Sequence, residues 1–176
     1  AMSRSKKLSC VDKATELETS RLWRETVQEI EKEYPEVEDS YEFVDAVAMR
    51  LVQWPNAYDV LNTEKIFGDI LTDEASVISG SMGLMPSASV GSQVSIFEHI
   101  HGSYPQAAGK NIANPLATVL SAAMMFETAF GLKEEGAAIR NVVNNSLKEG
   151  IVTEDLAEGS RSYGTSEVGD WLAENI

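Results

Sequence analysis

Apolar residues along this chain come alternately in short runs and at helical spacing, and the alternation divides its first half into strands and helices. Leu8 to Val11 predicts a strand. Asp12 is placed to cap the helix that follows, in which Leu17, Trp23, Val27, Ile30 and Tyr34 roughly track one face. Pro35 ends that helix, because its ring has no N–H to donate and crowds the preceding turn. Tyr41 to Asp45 predicts a second strand, Ala46 to Gln53 a short helix stopped by the turn around Pro55-Asn56, and Tyr58 to Asn62 a third strand. Ile66 to about Ile78 predicts a helix with Leu71, Ala75 and Ile78 on one side and Asp69 with Asp73 on another. This strand–helix alternation is the pattern of an α/β layered sheet with flanking helices.

The texture changes at Gly80, where Gly80-Ser81-Met82-Gly83-Leu84-Met85-Pro86-Ser87 is small and turn-rich. A domain crossing is expected there, dividing the chain into 1–80 and 81–176. Ser87 to Val90 and Ser95 to Glu98 predict strands, and Gly102 to Asn114 a long glycine-rich loop. Leu116 to Phe130 predicts an apolar helix buried on most of its circumference, closed by Gly131. Glu134 to Glu149 predicts an amphipathic helix through Ile139, Val142, Val143 and Leu147. Thr165 is placed to cap the last helix, in which Val168, Trp171, Leu172 and Ile176 share a face.

Composition narrows the function. A net charge of −14 argues against nucleic acid or anionic membrane as partner, since both require a basic face. The single Cys10 rules out a disulfide framework, reads as a small buried strand residue, and points to a reducing cytoplasm. No apolar stretch reaches transmembrane length and no signal-peptide pattern is visible. The acidic run Glu29-Glu31-Glu33-Glu36-Glu38-Asp39 reads as a solvated face.

The richest chemistry lies in Gly68-Asp69-Ile70-Leu71-Thr72-Asp73-Glu74. Residues i and i+4 share a helical face, so the Asp69 and Asp73 carboxylates stack and repel unless a cation lies between them. Oxygen donors alone suit a hard divalent ion, Mg²⁺ or Mn²⁺. Taken alone, the pair reads more simply as a helix N-terminal feature that favours the dipole, and Lys13 as a surface lysine.

Six motifs occur in order: Val11-Asp12-Lys13-Ala14, Phe43-Val44-Asp45-Ala46-Val47-Ala48-Met49, Phe67 to Ser76, Pro86-Ser87-Ala88-Ser89, His101-Gly102-Ser103, and Gly109-Lys110-Asn111-Ile112-Ala113-Asn114-Pro115. Together they resemble the C-terminal half of 3-isopropylmalate dehydrogenases, within the family of metal-dependent decarboxylating dehydrogenases that includes isocitrate and tartrate enzymes. The resemblance implies that family's fold, and NAD-dependent oxidation and decarboxylation of a 2-hydroxy dicarboxylate, 3-isopropylmalate, in leucine biosynthesis. It implies Lys13 and Asp45 as catalytic, and Asp69 and Asp73 as ligands of Mg²⁺ or Mn²⁺ from one subunit, with Asp45 approaching from the other. The helices after Asp45 and Glu64 would form a homodimer with a shared active site. His101, Gly102, Ser103, Gln106 and Asn114 would bind the adenosine part of NAD.

The departures from that family also carry expectations. Thr15 and Lys65 stand where asparagine is usual, His99 where proline is, and Gln106 where an aspartate usually holds the adenosine ribose. The family's glycine-loop start, substrate-binding arginines and catalytic tyrosine have no counterpart here. Arg21, Arg24 and Arg50 fall on helical stretches, and a dicarboxylate without an arginine clamp loses the contacts that orient it. Two further expectations follow. The isolated chain acts as a non-catalytic dimerisation and metal-binding fragment, and a related isocitrate- or tartrate-type substrate is the alternative to isopropylmalate.

Overall fold

The computed structural model describes all 176 residues and divides into two compact units, Ala1–Ile78 and Ser79–Ile176. The first is built on a three-stranded parallel sheet of order β2-β1-β3, formed by β1 (Lys7–Asp12), β2 (Glu38–Phe43) and β3 (Val60–Thr63). The central strand is apolar where both faces are covered, and Cys10 and Val11 have no exposed surface. Burial pushes the Cys10 thiol up to about 11, so it is an inert core residue. Helices α1 (Glu18–Ile30), α2 (Val44–Gln53) and α3 (Lys65–Ser79) accompany the strands. Val47 and Leu51 of α2 and Leu71 of α3 close a core on Val11, with Val44, Ala48, Tyr58 and Leu61 around it. Each fully buried Val or Leu there contributes roughly 1.5–3 kcal/mol.

Several expectations change in this unit. Asp12 does not cap α1, whose N-cap position is Leu17. Its carboxylate is buried and instead accepts the Ala14 N–H at 2.8 Å and a fork from Arg24. The second strand runs from Glu38 and stops at Phe43, which leaves Asp45 in the first turn of α2, where a carboxylate favours the helix dipole. The α1 face is only half covered: Val27 is half-buried, Ile30 and Tyr34 are exposed, and all three line an apolar cavity of about 260 Å³. Ile78 is exposed, because α3 buries Leu71 and Ser76 instead. The acidic run is not uniformly solvated. Glu31 accepts the Tyr41 hydroxyl, and burial raises both the Asp39 carboxyl and the Tyr41 phenol above their ordinary ranges.

The second unit pairs an antiparallel hairpin, β4 (Pro86–Val90) with β5 (Ser95–His99), with α4 (Leu116–Ala129), α5 (Lys133–Glu149) and α6 (Thr165–Asn175). Its core is Leu116, Val142, Val143, Val168 and Leu172, completed by Leu84, Leu156, Tyr163 and Trp171 among others. Helix α4 packs on the hairpin and on α5, burying Leu116, Ala117, Ser121 and Ala123 while Phe130 stays exposed; it is less enclosed than its composition predicts. The two helices approach closely at Gly136, where a Cβ would come within 3.0 Å of the Ala123 carbonyl oxygen. The Arg140–Glu127 fork, at 2.7 and 2.8 Å, ties α5 to α4 beside that contact. Gly131 follows α4 at φ +70°, the left-handed conformation expected of a helix-ending glycine. Thr165 is the first residue of α6 and does not cap it. Glu167 accepts the Gly164 N–H at 2.7 Å, and Asn111 Oδ1, from the glycine-rich loop, takes the Ser166 N–H at 2.9 Å. No helix is long and apolar enough to cross a membrane.

Candidate functional site

Parallel pairing of β1 with β2 places Asp12 opposite Phe43 at the end of the ladder. Lys13 follows the first and Asp45 lies just beyond the second, so two residues thirty-two positions apart meet: Lys13 Nζ lies 2.5 Å from Asp45 Oδ1. The lysine side chain is 28% exposed and the carboxylate 63%, so the pair faces solvent on the acid's side. The hydrogen bond from Lys13 holds the Asp45 carboxyl below its ordinary range. The Lys13 backbone is fixed as well: its N–H donates to Ser20 Oγ, buried in α1, at 3.1 Å.

Asp69 and Asp73 are both exposed on α3. Lys65 Nζ sits 2.6 Å from Asp69 Oδ1, one turn away, in a well-solvated pair. No group of three or more His, Cys, Asp or Glu side chains within the chain is placed to hold a metal ion. Two hard oxygen donors on one exposed helical face fit a divalent ion such as Mg²⁺ or Mn²⁺ as half of a ligand set, the rest coming from elsewhere. All four arginines of this unit are committed to carboxylates of the chain itself: Arg4 to Asp59, Arg21 to Glu18, Arg24 to Asp12 and Arg50 to Glu42.

The second unit holds a cavity of about 620 Å³, lined among others by Ser81, Gly83, His101, Gly102, Ser103, Asn114 and Asp155. This size is within the range of small-molecule sites. Of the five residues expected to bind adenosine, His101, Gly102, Ser103 and Asn114 are on its wall, whereas Gln106 lies exposed in the short turn Pro105–Ala107 and does not line it. His101 stacks on His99 with ring centroids 3.7 Å apart, so His99 has a direct contact with the cavity wall that its sequence position did not suggest. Asn114 is held at both ends of its amide: Oδ1 accepts the Leu116 N–H at 2.9 Å, and Nδ2 donates to Asp155 Oδ2 at 2.9 Å. Asp155 also accepts hydrogen bonds from Ser81 and Thr153. Burial raises its carboxyl, but these hydrogen bonds outweigh that effect and the net direction is down. Sequence reasoning missed Asp155 because nothing in its own neighbourhood shows that a loop forty-one residues earlier reaches it.

The sequence profile of the family described as isocitrate/isopropylmalate dehydrogenase matches residues 1–172. A 3-isopropylmalate dehydrogenase of Bacteroides fragilis (strain YCH46) is 55% identical over 177 residues, covering 100% of this chain and 50% of the relative. One of Desulfitobacterium hafniense (strain Y51) is 53% identical over 171 residues, covering 97% of this chain and 49% of the relative. Among solved structures, isocitrate dehydrogenase from Methylococcus capsulatus superposes with a TM-score of 0.94 at 40% identity, covering 99% of this chain and 51% of that one. A β-decarboxylating dehydrogenase from Thermococcus kodakarensis in its apo form gives 0.85 at 35% identity, covering 99% and 50%. The chain thus spans about half the length of the curated relatives it matches.

Proposed function

Because the chain belongs to the isocitrate/isopropylmalate dehydrogenase family, we propose that it carries the acid–base, metal-binding and adenosine-binding parts of an NAD-dependent 3-isopropylmalate dehydrogenase. The observation that carries this reading is the Lys13–Asp45 contact, an amine and an acid brought together by strand register at the end of a sheet. Parallel α/β sheets characteristically bind ligands there, beyond the carboxyl ends of their strands. The relatives named 3-isopropylmalate dehydrogenase, at 53–55% identity, favour that substrate over isocitrate.

Lys13 and Asp45 form a proton relay: the Lys13 ammonium gives a proton to Asp45 Oδ1 as its Nζ takes up the proton leaving the substrate hydroxyl. Asp45, whose carboxyl the hydrogen bond from Lys13 holds below its ordinary range, keeps Lys13 Nζ oriented. Asp69 and Asp73 hold the divalent ion, whose Lewis acidity, when it is bound, favours loss of the hydroxyl proton and then of CO₂. For that ion to complete its ligand set, a second copy of the chain contributes Asp45, which makes the functional unit a homodimer. The exposed apolar residues Met49 and Val52 of α2 and Ile66, Ile70 and Val77 of α3 support such an interface. His101, Gly102, Ser103 and Asn114 receive the adenosine part of NAD.

Spanning about half the length of its relatives, the isolated chain is expected to show little or no turnover. The decisive experiment joins this segment to the family's other half and offers 3-isopropylmalate, isocitrate and tartrate with Mn²⁺ and either NAD or NADP. NADH formation with 3-isopropylmalate is the expected result. Turnover confined to isocitrate or tartrate would reassign the substrate, and silence with all three would remove the enzymatic reading.

A further inference from the structure

Arg24 of α1 touches both members of the residue pair from which Lys13 and Asp45 extend. Its guanidinium forks onto the Asp12 carboxylate, with Nε 2.7 Å from Oδ2 and one terminal nitrogen 3.0 Å from Oδ1. Its Cζ also lies 5.1 Å from the centroid of the Phe43 ring and 5.6 Å from that of Tyr41. Asp12 and Phe43 are the terminal partners of the β1–β2 ladder. Lys13 is the next residue after Asp12, and its ammonium lies over the same Phe43 ring at 5.9 Å.

We infer that Arg24 is a positioning residue for the Lys13–Asp45 pair, acting through the Asp12–Phe43 end of the ladder. This rests on reading Lys13 and Asp45 as a working pair. Strand ends fray because the last pair has ladder support on one side only, and here they carry the reactive groups. Arg24 closes the end from above: the fork fixes the strand residue before Lys13, and the stack fixes the residue that leads into α2. Asp12 is almost wholly buried, so its charge cannot turn to water, and the fork therefore fixes a backbone position as well as a charge. A lysine in place of Arg24 would keep the charge but lose both the planar fork and the stacking. The simpler role, a counterion for Asp12 alone, would need neither the Phe43 nor the Tyr41 contact.

The test is the rate at which an amine-acylating reagent modifies Lys13 relative to the exposed Lys32 and Lys148, read by peptide mass spectrometry, with circular dichroism reporting the fold. Asp45→Asn calibrates the assay: loss of a solvent-facing ion pair should raise Lys13 reactivity about two- to five-fold. Arg24→Gln and Phe43→Leu, each still folded, should raise it comparably, and Arg24→Lys should fall between them and the unmodified chain. If Asp45→Asn raises Lys13 reactivity while Arg24→Gln and Phe43→Leu do not, Arg24 is a structural counterion and the inference fails. If Asp45→Asn changes nothing, the working-pair reading fails and takes the inference with it. If Arg24→Gln does not fold, Arg24→Lys, which keeps a positive charge beside Asp12 but loses the fork and the stack, decides: Lys13 reactivity equal to that of the parent chain overturns the inference.

Discussion

Lys65 Nζ lies 2.6 Å from Asp69 Oδ1 across one turn of α3, so a carboxylate assigned to a divalent ion already holds a monovalent one. Both side chains are exposed, and a pair in that setting is weak enough for a divalent ion to displace.

Lys65→Asn should therefore raise Mn²⁺ affinity, by roughly two- to ten-fold once the exposed pair and its local positive charge are gone. Isothermal titration of the chain with Mn²⁺ measures this directly. Equal affinity in both proteins would show that Lys65 does not compete for the site.

Lys13→Met should raise the Asp45 carboxyl toward the ordinary aspartate range, because the hydrogen bond from Lys13 is the largest influence holding it down. The sign follows: a depressed carboxyl keeps the ion pair intact above the usual value near 4, and the pair breaks as pH falls through the lower folded value. Carboxyl ¹³C chemical shifts followed through an acid titration read the midpoint. An unmoved midpoint in Lys13→Met would mean that the contact is not formed in solution.

Asp155→Asn should loosen the cavity wall of the second unit. The carboxylate accepts from Ser81, Thr153 and Asn114 at once, and an amide cannot accept from all three with both ends. A loss of about 1–2 kcal/mol in unfolding free energy is expected, together with weaker adenosine monophosphate binding. The folded carboxyl is depressed, so its contribution is present above the unfolded value near 4 and fades as pH falls through the folded one. The variant should consequently lose part of the stability rise seen between acid and neutral pH. Thermal melts across that window decide the matter, and identical pH dependence in both proteins would count against the role.

Val52→Asp together with Ile70→Asp should turn a dimer into monomers, since both residues are exposed on helices expected to meet a second copy. Burying an unpaired carboxylate in such an interface costs several kcal/mol. Sedimentation velocity measures the outcome. An unmodified chain that is already monomeric at high concentration would contradict the interface.

Much of the fold was legible because its signals are local. The apolar run at Leu8 to Val11 forms β1, and α5 and α6 bury the stripes through Val142, Val143, Val168 and Leu172 that their spacing marked out. Boundaries were less legible. Phe43 ends β2 two residues earlier than its composition suggests, because the ladder runs out of partners opposite Asp12. The capping of α6 by Asn111 lay outside any local pattern, since the donor and acceptor come from segments fifty-five residues apart.

By itself the sequence determined the α/β element order, the shared helical face of Asp69 and Asp73, and the places of Lys13 and Asp45 near strand ends. These depend on periodicity along a few turns or a few residues of strand. Only the tertiary structure decided that Lys13 meets Asp45, that Arg24 joins Asp12 and Phe43, and that Asp155 reaches Asn114. Those contacts depend on strand register and helix docking, which are set by burial across a whole unit and cannot be read from any one segment.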